Sequence, residues 1–377
     1  MTTTLRDWVA ALDGLYDPAW AQPWDRVGLV TGQLDQTVTL AHLAVDPTAE
    51  VVDEAVAAGA QLVIAHHPLL LHGVHGVDEG SPKGSLVARL VRDRVALFTA
   101  HTNADIAAPG VSDALAAALD VRDVVALQPS PPDAAYKVVV YVPAAAEERV
   151  VDAITAAGGG GVGEYTRCHW SVEGVGSFLP GSGAQPTVGR VGEMAHVAER
   201  RVEMLVPIEH TADVVRAATA AHPYEEPAID VVPVVVPHRR GLGRVGRLAA
   251  AVSAAELHAR VAAALPTAPA GVRLAGDPAR LVQRVAVCGG AGDDLVNTAL
   301  AAGADVLVTA DLRHHVTAEA VERGLIMIDA GHWASEWPWL GDCADRVMRA
   351  LADEGHTVHT TVSSLVSDPW TSSGAQR

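Results

Sequence analysis

The sequence predicts one α/β domain built from the two ends of the chain and interrupted by an inserted α+β domain of ferredoxin-like order. Short apolar runs alternate with amphipathic stretches up to residue 127 and again after Gly241, which is the pattern of parallel βαβ units. Between them the order changes to β-α-β-β-α-β, the split βαβ arrangement. The turn-rich Gln128-Pro-Ser-Pro-Pro-Asp133 marks the change. The expected segments are 1–130, 131–238 and 239–377.

In the first segment, residues 38–45 read as a strand and 48–58 as a helix stopped by Gly59. Residues 62–65 (Leu-Val-Ile-Ala) read as a buried strand, 85–94 as a helix and 95–100 as a strand. In the insert the strands are expected at 137–142, 167–172, 201–208 and 228–236, with helices at 144–157 and 211–221. After Gly241 the pattern gives helices at 254–264, 293–302 and 343–354, and strands at 285–288, 306–309, 325–329 and 357–362.

With 377 residues, the chain is long enough for two or three cored domains. It carries 27 basic and 45 acidic residues, a net charge of −18. Such a field repels phosphate backbones, so nucleic acid is a poor partner, while metal cations are attracted. Cys168, Cys288 and Cys343 are far apart and odd in number, which argues against a disulfide framework and for a reducing compartment, each as a small core residue. The first twenty residues have no signal-peptide profile and no stretch reads as membrane-spanning. A cytoplasmic location is the expectation.

Polar residues gather where strands end. His66-His67-Pro68 closes the strand at 62–65, because Pro68 cannot continue a ladder. Adjacent side chains on extended backbone face opposite ways, so the pair suits two metals better than one. His101-Thr-Asn-Ala-Asp105 ends a second strand, at the edge where open α/β sheets place ligands. His332 and Glu336 follow a third strand and share one face if a helix starts there. Five ligands result: His66, His67, Asp105, His332 and Glu336. Mixed imidazole and carboxylate donors suit two divalent ions, zinc foremost, with iron, manganese or cobalt as alternatives. Glu336 is the expected bridge, and water held between two such ions is the expected nucleophile of a hydrolysis.

Weaker clusters lie nearby. His101 and His315 are possible cleft residues, although Asp311 ahead of His314-His315 also suits a helix cap. Gly289-Gly-Ala-Gly292 could cradle an anion or form a plain turn. Trp24-Asp-Arg-Val-Gly28 could place Asp25 near the site but reads first as a packed turn, and Glu225 and Glu226 in His222-Pro-Tyr-Glu-Glu-Pro227 could form intersubunit contacts but read first as a structural connection.

Ala-His-His-Pro-Leu (65–69), His-Thr-Asn-Ala-Asp (101–105), Cys-Gly-Gly-Ala-Gly (288–292), Asp-Leu-Arg-His-His (311–315) and Asp-Ala-Gly-His-Trp-Ala-Ser-Glu (329–336) resemble, in order and spacing, the signatures of the Nif-three-like family of dinuclear-metal hexamers. Its members are commonly named GTP cyclohydrolase 1 type 2 homologues. The resemblance implies the same five ligands, a toroidal homohexamer with its metal sites facing an inner cavity, and a PII-like or CutA-like insert carrying residues 222–227. Arg26, Ala310 and His314 depart from the residues usual there in the family. The implied activity is a divalent-metal-dependent hydrolase of the GTP cyclohydrolase 1 type 2 homologue kind, acting on a nucleotide-like or other small molecule. The alternative is a non-enzymatic metal-binding scaffold or regulator with a ligand-sensing insert.

Overall fold

The computed structural model describes residues 2–163, 165–236 and 238–373. The described residues form a mixed α/β structure with three sheets. It divides into two compact units, one made of the chain up to Ser130 and from Arg239 onward, the other of Pro131–His238.

The first half of the larger unit contains α1 (Leu5–Leu15), β1 (Gly28–Thr31), β2 (Leu40–Ala44), α2 (Ala49–Ala57), β3 (Leu62–Ala65), α3 (Pro82–Arg92), β4 (Ala96–Thr99), α4 (Thr102–Ile106), α5 (Val111–Ala118) and β5 (Arg122–Pro129). Local chemistry sets several boundaries. Thr48 caps α2 through Val51 N, and α3 begins three residues earlier than expected because Ser81 Oγ accepts from Gly84 N at 3.2 Å with Pro82 in the first turn. Strand β5 runs into the first two residues of the expected linker 128–133, and β6 takes its last, which leaves residues 130–132 as the connection.

The smaller unit runs β6 (Asp133–Pro143), α6 (Glu147–Ala156), β7 (Trp170–Phe178), β8 (Ala195–Pro207), α7 (Thr211–Ala221) and β9 (Ile229–Val236). Its sheet has the order β7-β8-β6-β9, with every neighbouring pair antiparallel. Val138, Val140, Val202 and Met204 form one buried face, packed with Val150, Ile154 and Val214 of the two helices. β7 starts three residues later than expected and extends six residues further, to Phe178. Its residues pair in register with β8 from Trp170–Glu203 to Phe178–Ala195, and this long ladder outweighs their poor strand propensity.

The chain then re-enters the larger unit with β10 (Gly241–Ser253), α8 (Ala254–Ala264), β11 (Arg273–Ala275), β12 (Leu281–Ala291), α9 (Val296–Ala301), β13 (Val306–Ala310), α10 (His314–Glu322), β14 (Ile326–Asp329), α11 (His332–Glu336), α12 (Pro338–Asp353) and β15 (His359–Val362). Two sheets form this unit, ordered β1-β4-β3-β2-β15 and β11-β14-β13-β12-β10-β5. Pairs among β4, β3, β2 and β15, and among β14, β13 and β12, are parallel. Antiparallel strands flank both parallel runs, with β1 beside β4, β11 beside β14, and β10 between β12 and β5. The sheets are therefore mixed rather than purely parallel.

One core crosses both ends of the chain. Leu5, Trp8 and Phe98 from the first half pack in the same cluster as Val306, Trp339 and Leu351 from the second. Arg244 on β10 is 2% exposed and binds Asp113 on α5, the carbonyls of Gly241 and Gly243, and the carbonyl of Ala107. Cys288 and Cys343 are buried as expected, whereas Cys168 is only partly covered. Among the described residues, no helix is long and apolar enough to cross a membrane.

Candidate metal centre

Both sheets of the larger unit deliver polar side chains from the carboxyl ends of their parallel strands, where helix-covered sheets leave a crevice. β2 leads into Asp46, β3 into His66 and His67, and β4 into His101 and the one-turn α4 with Asp105. β1 runs antiparallel to β4, with Gly28 opposite Thr99, so the loop before β1 brings Asp25 to the same edge. From the second sheet, β13 leads into Asp311. β14 turns at Gly331 (φ 78°) into α11, which carries His332 and Glu336 four residues apart.

These residues meet around Glu336. Its Oε1 lies 3.1 Å from His332 Nε2 and 3.5 Å from His66 Nε2, and its Oε2 lies 3.1 Å from His67 Nε2. Asp105 Oδ1 lies 3.8 Å from His66 Nε2. All five residues expected from strand ends thus come together, and His101 joins them: the donor atoms of His66, His67 and His101 lie within 4.8 Å of one another, as do those of His67, His332 and Glu336.

Each imidazole is held by its other nitrogen. His66 Nδ1 is 2.9 Å from the Ala100 carbonyl, His67 Nδ1 2.7 Å from Asp46, His332 Nδ1 2.7 Å from Asp311 and His101 Nδ1 2.8 Å from Asp25. An acceptor at Nδ1 fixes the ring and leaves the Nε2 lone pair facing the cluster. Asp46 and Asp311 have roles that sequence reasoning missed. Asp46 stands at a strand end like the others and could have been found by the same rule. Asp311 suits a helix cap as well as the cleft by sequence, but the residue capping α10 is Arg313, and Asp311 adopts φ 53° and turns to His332 instead.

Charge is balanced by protons here. Burial works to lower the His67 and His332 pKa values, but Glu336 and the partner aspartates outweigh it, so His67 rises well above its ordinary value and His332 to about 9. Burial works to raise Glu336, and His67, His66 and His332 together pull it well below the carboxylate range. Asp105 goes the other way, raised by burial despite His66. His66 Nε2 is buried without a hydrogen-bond partner, and Glu336 Oε2 has only the His67 Nε2 contact at 3.1 Å. Buried polar atoms are seldom left so, and a divalent cation would satisfy both. The donor set of imidazoles and carboxylates fits such an ion.

Residues 3–369 match the family model described as Duf34/NIF3 (NGG1p interacting factor 3). The chain belongs to the Duf34/NIF3 family. It is 48% identical over 373 residues to the Mycobacterium tuberculosis protein named GTP cyclohydrolase 1 type 2 homolog, covering 98% of this chain and 97% of that one. The Bacillus subtilis protein of the same name is 39% identical over 319 residues, 84% of this chain and 85% of that one. Among solved structures, a Bacillus cereus protein related to NIF3 superposes with a TM-score of 0.84 at 33% identity, covering 98% of this chain and 99% of that one.

Other motifs of this NIF3-family chain have structural work. Gly289 and Gly290 end β12 and pack against α11, with Gly289 N donating to Ser112 Oγ at 3.4 Å and Gly290 N to Ser335 Oγ at 2.9 Å, so these two amides do not cradle an anion. A Cβ on Gly290 would stand 2.3 Å from Glu336 Oε1, and its φ is +65°. His315 is exposed on α10 beside His314, and among the described residues no contact joins it to the cluster. In the smaller unit, His222 is buried, its Nε2 donating to the Tyr141 carbonyl at 3.0 Å while its Nδ1 accepts from Tyr224 N at 3.1 Å. Glu225 receives Gln185 N at 2.9 Å.

Proposed function

We propose that His66, His67, Asp105, His332 and Glu336 hold two divalent ions and that the chain is a metal-dependent hydrolase of a nucleotide-like or other small molecule. The observation that carries this reading is the Glu336 carboxylate set among three inward-facing Nε2 atoms, one of which, His66 Nε2, is buried without a hydrogen-bond partner. The relatives' shared name supports the direction. When bound, the ions supply Lewis acidity and activate water at neutral pH.

The protein's own residues prepare the site. Asp46, Asp311 and the Ala100 carbonyl keep the three imidazoles in the tautomer that can ligate. Glu336, with one oxygen toward His66 and His332 and the other toward His67, is the side chain placed to serve both ions. Trp339, fully buried with its ring 5.3 Å from that of His66, closes one side of the site to water. Zinc is the first choice of ion, with iron, manganese or cobalt as alternatives.

The reading extends to the rest of the molecule. The strand order of residues 131–238 supports a PII-like or CutA-like domain inserted into a discontinuous metal-binding domain, and the family resemblance supports a cytoplasmic homohexamer. Metal analysis of purified protein, joined to a hydrolysis screen over nucleotides, phosphoesters and amides, tests the main claim. Two ions per chain and a turnover lost in His67→Ala and Glu336→Ala support it. Wild-type turnover in variants that have lost their metal defeats it. A loaded protein that hydrolyses nothing in the screen favours a metal-binding scaffold instead.

A further inference from the structure

The five residues of the proposed centre include three imidazoles, and a fourth faces the same place. His101, which follows β4, packs edge-on to His66 with ring centroids 5.1 Å apart and lies 5.5 Å from the ring of His67. Its donor atom falls within 4.8 Å of those of both histidines. Chance packing could place a ring there, but not its orientation.

That orientation comes from Asp25. The Asp25 carboxylate is 5% exposed and lies 2.8 Å from His101 Nδ1. It is fixed by three further donors: Thr102 N at 3.0 Å, Thr102 Oγ1 at 2.5 Å and Arg26 N at 2.7 Å. An ionised carboxylate only accepts, so it takes Nδ1–H and leaves Nε2 as the free lone pair of His101. Asp46 does the same for His67 and Asp311 for His332, and carboxylate–histidine pairs of this kind orient metal-ligating imidazoles. Asn103 locks the turn: its Oδ1 accepts from His101 N at 2.9 Å and its Nδ2 donates to the Tyr16 carbonyl at 2.7 Å.

Counting donors shows what His101 adds. Glu336 Oε1 faces His332 and His66 and its Oε2 faces His67, and the donor atoms of His67, His332 and Glu336 lie within 4.8 Å of one another. Asp105 Oδ1 lies 3.8 Å from His66 Nε2, and the donor atoms of His66, His67 and His101 lie within 4.8 Å of one another, so His101 adds a nitrogen beside His66.

We propose that His101, oriented by Asp25, is a sixth ligand of the metal centre, joining His66 and Asp105 on one ion. This rests on the reading of the site as a two-ion centre. It makes the His66-side ion one with two nitrogen donors, which selects zinc, iron(II) or cobalt over magnesium.

The test uses full-length protein loaded with zinc, with ion number and affinity read by chelator competition and elemental analysis for the wild type, His101→Ala, Asp25→Asn and His66→Ala. The expected result is a wild type with two ions, a His101→Ala variant that keeps one and binds the other at least about tenfold more weakly, and a smaller loss of the same ion in Asp25→Asn. Two ions held with unchanged affinity in His101→Ala overturn the inference and leave the two-ion reading standing. Absence of zinc binding in the wild type defeats both. Should His101→Ala fail to fold, acylation of histidines in the wild type, mapped by mass spectrometry, decides. Zinc is expected to protect His101 as it protects His67 and His332, and equal labelling of His101 with and without zinc overturns the inference.

Discussion

His67 Nε2 and Glu336 Oε2 lie 3.1 Å apart, and this contact ties the end of β3 in one sheet to the helix that follows β14 in the other. Without a metal, such a contact is favourable only if the imidazole is protonated. The same holds for His332, whose pKa is raised to about 9 as Glu336 and Asp311 outweigh the effect of burial.

A pH dependence follows. The folded pKa of His332 lies above the ordinary histidine value near 6.5, so the stability it contributes to the metal-free protein is fully present below about pH 6.5 and is lost as pH rises through about 9. Metal binding must expel that proton. The melting temperature of metal-free protein is expected to fall between pH 6.5 and 9, while zinc affinity climbs by up to about tenfold per pH unit for each proton released. Scanning calorimetry and zinc titration in buffers of different ionisation enthalpy measure both. A flat affinity across this range would refute the assignment.

Asp46 and Asp311 touch no other candidate ligand than His67 and His332 in the contacts described above, so removing their charge isolates the value of orientation. Asp46→Asn and Asp311→Asn are each expected to weaken zinc binding by about 10–100-fold. Both side chains are partly exposed, 27% and 57%, so the fold is expected to survive. Chelator competition beside a thermal melt separates the two effects, and affinity within twofold of the wild type would count against the roles given to these aspartates.

Much of this site can be read from the chain because its residues come in runs. His66-His67-Pro68 and His101 to Asp105 announce themselves by density, and the His332/Glu336 spacing puts two donors on one helical face. Asp25 and Asp46 are single acids beside turns, and only pairing brings them in: Asp25 through the antiparallel register of β1 on β4, Asp46 through the parallel register of β2 on β3. The fold divides in the same way. Apolar strands such as residues 62–65 are buried on both faces and appear as unbroken runs. β5 and β10 are not legible because β5 is largely exposed and β10 contains three glycines, and their strands are held by pairing, β5 with β10 and β10 also with β12.

Gly290 tests how tightly the centre is packed. Its φ of +65° is strained for any side chain, and a Cβ there would press on Glu336 Oε1 at 2.3 Å and His332 Nε2 at 3.2 Å. Gly290→Ala is expected to cost about 1 kcal/mol or more from backbone strain alone, and to lower zinc affinity by moving Glu336. Gly303, also at positive φ (+68°) but with open space around it, supplies the control. Gly303→Ala should show the strain cost with zinc affinity intact. Equal zinc affinity in the two variants would mean that Glu336 is freer than the contacts imply.

Arg244 reports on the fold rather than the site. Its buried guanidinium joins Asp113 Oδ2 at 2.6 Å and the carbonyls of Gly241 and Gly243 at 2.7 and 2.8 Å, and it also reaches the Ala107 carbonyl. It thereby ties β10, where the chain re-enters the unit, to α5 and the turn before it. Arg244→Met keeps the aliphatic length and removes every donor, leaving Asp113 without its cation and three carbonyls without this partner. Removing one member of a buried pair costs about 3–5 kcal/mol, and because 20% of the Asp113 side chain is exposed the lower end applies. Urea unfolding should show a stability loss of about 3 kcal/mol, with the folded fraction still binding zinc like the wild type. A loss below about 1 kcal/mol would show that the two ends of the chain are held by their shared apolar core without help from this arginine.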